Sequence, residues 1–247
     1  MRIPFVVGVV VEKEGSAVES SLQNASGEGA DCAELNLASL PVISSKWFNR
    51  SMPVYTTCRR AAFMRIYGEK FRHLPKLSDE ERMEKQRDAF YSGSAGLDIE
   101  ADTFDPDPEE WTENREAVAR QKALARETHD IGASVIFSWH PPRKLCLKEA
   151  ETAMESLMDR GADFVKIVEQ VRTREEALDS LFISARLWEK GFTRFIFYGL
   201  GEPAISFRLL TCSFGSAYLL ARPKVGGNQI AIQPEVWRAR ALLDLTH

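Results

Sequence analysis

Short apolar runs recur along this chain and alternate with longer stretches whose apolar residues repeat at helical period. The runs PFVVGVVV (4–11), CAELNL (32–37), PVYTTC (53–58), GLDIEA (96–101), ASVIFSW (133–139), DFVKIV (163–168), FIFYG (195–199) and SAYLLA (216–221) predict eight strands. Between them, SDEERMEKQRDAFYSG opens on Ser78 with Glu81 three residues later, the pattern of a capping box. Further helices are predicted over 107–132, 148–161 and 173–191, closed by Gly132, Gly161 and Gly191, and over 235–247. Eight strands, each followed by a helix, within 247 residues predict a single-domain (β/α)8 TIM barrel over 1–247. A doubly wound open sheet is the alternative. No GxGxxG follows a strand, and GLGEPA (199–204) has the wrong spacing for a dinucleotide fingerprint. The least regular stretch is the basic and aromatic connection 60–77.

Composition narrows the partners. With 44% hydrophobic residues the chain can bury a large core, and a formal net charge of -4 supplies no broad basic field for nucleic acid or acidic membranes. A small anionic substrate needs only a local group of arginines. Cys32, Cys58, Cys146 and Cys212 are widely spaced and form no CxxC pair, which predicts reduced thiols and a cytoplasmic protein. The opening MRIPFVVGVVVEKEG has no small-residue cleavage site, and its apolar run is too short to span a bilayer. His73, His129 and His247 lack the spacing of a two-histidine metal site, so no metal is expected.

Chemistry in such a barrel collects at the carboxyl ends of the strands. There the second strand offers Glu34 and Asn36, the third ends at Arg59, the fourth carries Asp98 and Glu100, and the fifth ends at His140. The sixth carries Lys166, while Arg208 follows the seventh and Gln229 the eighth. Each has an ordinary reading as well. Lys166 either faces inward or lies under a helix with its ammonium reaching water. His140 could be a hydrogen-bonded strand end, Asp98 and Glu100 internal anchors, and Arg59 with Arg60 a solvated pair at a loop start.

Taken together they suggest one reaction. An amine held among apolar groups and cations is driven towards its neutral, nucleophilic form and can attack a ketone to give an imine. The imine acidifies the adjacent C–H bond, a histidine on the neighbouring strand can move that proton, and arginines can hold a carboxylate. The implied class is Schiff-base proton abstraction followed by elimination or carbon–carbon cleavage.

GLDIEAD (96–102), VIFSWH (135–140), GADFVKI (161–167), FRLLTCSFGSAYLLA (207–221) and GGNQIAI (226–232) resemble, in order and spacing, the motifs of type I 3-dehydroquinate dehydratase, over about residues 4–235. The resemblance implies syn dehydration of 3-dehydroquinate to 3-dehydroshikimate in the shikimate pathway of aromatic amino acid biosynthesis, without a dissociable cofactor, by a homodimer. It implies an imine on Lys166, acid/base work by His140, substrate binding by Arg59, Arg208, Glu34 and Gln229, and support from Asp98. Glu100 and Asn36 are expected in the supporting layer beside it.

Several positions depart from that pattern. An arginine and an aspartate on the second strand are replaced by Asn36 and Ala38, and the glutamate four residues past Arg59 by Phe63, with Glu69 as a candidate substitute. Phe207 and Val225 stand where the family has serines. Loss of hydroxyl-binding groups predicts weaker binding of a polyhydroxylated ring, or a preference for a less hydroxylated keto acid. The alternatives are therefore a lyase or aldolase-type enzyme on the same scaffold acting on such an acid, and a non-catalytic binding or regulatory homologue.

Overall fold

A computed structural model describes residues 4–64, 71, 74–226, 230 and 232–246. The eight strands are β1 (Phe5–Val11), β2 (Cys32–Asn36), β3 (Val54–Thr57), β4 (Gly96–Glu100), β5 (Ser134–Trp139), β6 (Phe164–Gln170), β7 (Phe195–Leu200) and β8 (Tyr218–Ala221). The helices are α1 (Gly15–Gly27), α2 (Ala61–Met64), α3 (Asp79–Tyr91), α4 (Arg115–Asp130), α5 (Leu147–Asp159), α6 (Arg174–Glu189), α7 (Ile205–Arg208) and α8 (Val236–Thr246). The strands form one sheet in the order β7-β6-β5-β4-β3-β2-β1-β8. Its two outer members meet where Ala217 N–H donates to Phe195 O (2.7 Å) and Ser216 Oγ accepts from Phe197 N–H (3.1 Å). The result is the predicted (β/α)8 TIM barrel. Its strands are buried on both faces, which is why they read as continuous apolar runs.

The chain packs as two compact units. One holds Ile99–Leu219 with the two chain ends, and the other holds Val6–Asp98 with Leu220–Arg240.

The helices follow their local signals. Ser78 and Glu81 form the capping box of α3, and Thr173 accepts from Glu176 N–H to start α6. Two expectations are corrected. After β2 there is no α-helix, only a 3-10 turn at Ser45–Trp47; the connection 37–53 carries Pro41, Pro53 and four serines, which favour turns over a helix. The helix expected over 107–132 begins only at Arg115. Pro106 and Pro108 lack N–H donors and bias the residues before them away from helix, while Asn114 accepts from Glu116 and Ala117 N–H and sets the true start.

The resulting loop, 101–114, is held closely. Arg160 donates to Ala101 O (2.8 Å) and Thr112 O (2.7 Å), and Gln121 donates to Thr103 O (2.8 Å). Burial pulls the Arg160 guanidinium down to about 10. Phe104 (φ 76°) and Glu110 (φ 54°), both in this loop, are the non-glycine residues with positive φ among those described. The connection after β5 is fixed from below by Glu169, fully buried on β6. Its carboxylate accepts from Leu145 N–H (2.6 Å) and Ser180 Oγ (2.6 Å) and pairs with Lys144 (2.9 Å). Burial pushes that carboxyl up, against these three donors.

Gly215 ends the turn before β8 with φ 101°, and a Cβ there would lie 2.5 Å from Trp188 Cβ. Gly215→Ala is therefore expected to cost about 2 kcal/mol through strain and overlap, lowering the melting temperature by roughly 4–8 °C. Gly27→Ala meets nothing within 4 Å and should leave it within about 2 °C. Equal melting of the two variants in a thermal scan would contradict this account.

Candidate active site

Which way Lys166 points follows from its neighbours two residues away. The Phe164 ring meets Phe5 (6.1 Å, 88°) and Tyr218 (6.1 Å, 70°), and Phe5 stacks on Tyr218 (5.0 Å, 23°). Phe5 starts β1 and Tyr218 starts β8, and neither strand is hydrogen-bonded to β6. Three such rings can meet only across the barrel interior. Side chains alternate along a strand, so Lys166 shares that inner face one level towards the carboxyl end, with Val165 and Ile167 on the other. It is 2% exposed, which removes the reading of a lysine lying under a helix with its ammonium in water.

The strand register builds the level above. Ser138 of β5 and Ile196 of β7 are the Cα partners of Lys166, and Tyr198 is the partner of Val168. His140, two residues beyond Ser138, continues the same side. Trp139 turns the opposite way, against Trp111 (4.9 Å), and its indole N–H donates to Glu109 O (2.7 Å). His140 Nδ1 lies 3.5 Å from Glu110 Oε2. On the β7 side, Arg208 Nη2 donates to Tyr198 Oη (2.7 Å) and the guanidinium carbon stands 4.3 Å from the Tyr198 ring centre. Arg208 is 5% exposed, yet its Nε has no hydrogen-bond partner among the described residues. A buried guanidinium with a donor unused has the chemistry to take a planar anion such as a carboxylate.

In the other compact unit, β1, β2 and β3 align Val9 with Glu34 and Tyr55, and Val11 with Asn36 and Thr57, while Gly96 of β4 aligns with Tyr55. Thr56 takes the opposite face, where Gln86 of α3 meets it (3.2 Å). Glu34, Asn36 and Asp98 thus share the face away from the helix. Asp98 Oδ2 accepts from Arg59 Nη2 at 2.9 Å in a fully buried pair. Arg60 turns instead to Asp79 with two bonds (3.1 and 2.7 Å), and Arg82 donates to Cys58 O (2.6 Å) and Asp79 (2.5 Å). Arg59 and Arg60 are therefore no solvated pair. Asn36 is engaged locally, accepting from Ala38 N–H (2.9 Å) and approaching Met64 Sδ (3.7 Å). Glu34, Glu100 and His140 are buried as well.

Gln229 and Glu69 lie outside the described residues, as does the side chain of Phe63. Phe207 packs against Val171, Ala177 and Ala204, and Val225 is exposed, its carbonyl accepting from Asn24. Burial pushes the Cys58 thiol up to about 11 and Cys212 up to about 12, so neither is a nucleophile at neutral pH. No group of three metal-binding side chains occurs among the described residues. No helix among them is long and apolar enough to cross a membrane.

Two residues at this site escaped the reading of the chain. Tyr198 sits two positions after Ile196 in FIFYGL, where the two-residue period would have put it on the inner face once the register was known. Glu110 was absorbed into a helix that the Pro106–Pro108 pair and the Asn114 cap should have shortened.

None of the curated proteins matches the chain. Its fold is similar to solved structures of 3-dehydroquinate dehydratases. The type I enzyme of Clostridium difficile, solved with covalently modified comenic acid, gives a TM-score of 0.78 at 15% identity, over 99% of this chain and 92% of that one. The enzyme of Enterococcus faecalis gives 0.76 at 16% identity, over 99% and 96%. That of Geobacillus kaustophilus HTA426 gives 0.74 at 18%, over 98% and 90%. At these identities the likeness establishes the fold. The family itself is established by the model of type I 3-dehydroquinase, which matches residues 6–246, and this chain belongs to that family of hydro-lyases.

Proposed function

We propose that this chain dehydrates 3-dehydroquinate to 3-dehydroshikimate through an imine on Lys166, with His140 as the general acid and base. The observation that carries the reading is the inward-facing, buried amine of Lys166 one level beneath His140, within a chain of this family. Lys166 Nζ adds to the ring ketone, and loss of water from the adduct leaves a protonated imine. His140 removes a proton from the carbon next to it; the C–H electrons form an enamine. The enamine expels the hydroxyl on the following carbon, protonated by His140, as water. Water then hydrolyses the conjugated imine and returns the free amine. One water is released overall, and no cofactor takes part, in keeping with a family that works without one.

Arg208, with its unused buried donor, and Arg59, held by Asp98, are proposed to bind the carboxylate and hydroxyls, with Glu34 and Gln229 on other hydroxyls. Asp98, Glu100 and Asn36 support them. The departures at Phe207 and Val225 weigh little against this substrate, since one ring is engaged in packing and the other side chain is exposed. A single catalytic domain, a homodimer and a cytoplasmic location belong to the same proposal.

Borohydride added with 3-dehydroquinate is expected to leave a reduced adduct on the peptide containing Lys166, read by mass spectrometry. Lys166→Ala should form no adduct and show no turnover, and an adduct on another residue would refute the assignment. Arg208→Lys keeps the charge but loses the planar fork, and should raise KM by about tenfold, roughly 1.4 kcal/mol of lost binding. An unchanged KM would remove Arg208 from the substrate.

A further inference from the structure

We infer that Glu110, on the loop between β4 and α4, is the positioning residue that orients the His140 imidazole, an inference that rests on the reading of His140 as acid and base. Glu110 Oε2 stands 3.5 Å from His140 Nδ1, and the carboxylate is partly buried. At that distance the two groups form an ion pair and not a hydrogen bond; a carboxylate there favours the proton on Nδ1 and leaves Nε2 as the atom that takes the substrate proton and later gives it to the departing hydroxyl. It also stabilises the imidazolium formed between those two steps, without itself being protonated.

The backbone gives this approach its second support. Glu110 adopts φ 54°, a conformation that carries a cost for any residue with a Cβ, and one that persists only where the surroundings impose it. The surroundings are visible. The indole of Trp139, the residue before His140, donates to the carbonyl of Glu109, the residue before Glu110. Arg143 binds the Glu109 carboxylate (3.2 Å) and is itself held by Glu149 (2.8 Å). On the far side, Arg160 holds Thr112 O, and Thr112 Oγ1 donates to Asp105 (2.5 Å). Two consecutive residues at the end of β5 therefore clasp two consecutive residues of the loop, one through an outward indole and one through an inward imidazole. A residue needed only to complete the turn would be served better by glycine at this φ.

The test compares Glu110→Gln and Glu110→Gly with the wild type, each assayed for turnover of 3-dehydroquinate, borohydride trapping on Lys166 and thermal melting. Glu110→Gln is expected to lower kcat by about a hundredfold, at the lower end of what a positioned acid/base group supplies, with KM nearly unchanged and the Lys166 adduct still formed. Glu110→Gly, better suited to the backbone, should melt at or above the wild-type temperature, show a similar loss of kcat, and regain part of it on addition of formate. Full kcat in Glu110→Gln overturns the inference, as does a loss of kcat accompanied by loss of trapping or by an earlier melt. Wild-type protein that neither traps nor turns over 3-dehydroquinate brings down the proposed function, and this inference with it. Wild-type trapping with an unimpaired Glu110→Gln brings down this inference alone.

Discussion

An amine 2% exposed in the middle of an apolar strand is a costly thing to fold around. The position of Lys166 is enforced by the aromatic layer beneath it. With Phe164, Phe5 and Tyr218 packed across the barrel floor, a slip of β6 by one residue would carry Phe164 out of that layer and turn Lys166 towards the helices. The hydrophobic effect acting on three rings thus sets the direction of one polar group. Through the register with β5 and β7 it also sets the level at which His140 and Tyr198 arrive.

The arginines are held by a different kind of force. Arg59 is matched to Asp98 by charge, and the peptide before it is gripped by Arg82 from α3, so its orientation is fixed from two sides. Arg208 leans on Tyr198 by its aromatic face and hydroxyl and retains an unused donor. One guanidinium is paired with a carboxylate, and the other keeps a donor unused.

Much of this was legible in the chain because parallel strands buried on both faces leave unbroken apolar runs, and an amine or imidazole inside or ending such a run stands out. Each strand other than β2 is followed by a helix, short ones included. The stretch after β2 carries none, because its prolines and serines favour turns. What could not be read was register. Tyr198 has its meaning only once Val168 is known to be its partner, and nothing in FIFYGL states which residue of another strand it will meet. Glu110 was hidden for a different reason. Its positive φ is imposed by contacts from Trp139, Arg143 and Arg160, distant residues that no local propensity encodes.

The loop 101–114 also keeps apart groups that a strand would have fused. The amine and the imidazole ride on β6 and the end of β5, where any change of length disturbs the sheet. The carboxylate facing the imidazole rides on a connection whose length and turns can be redrawn while every strand stays in register. In a barrel built this way the place of the amine is inherited with the fold, whereas the carboxylate beside the imidazole can be moved by editing a single loop.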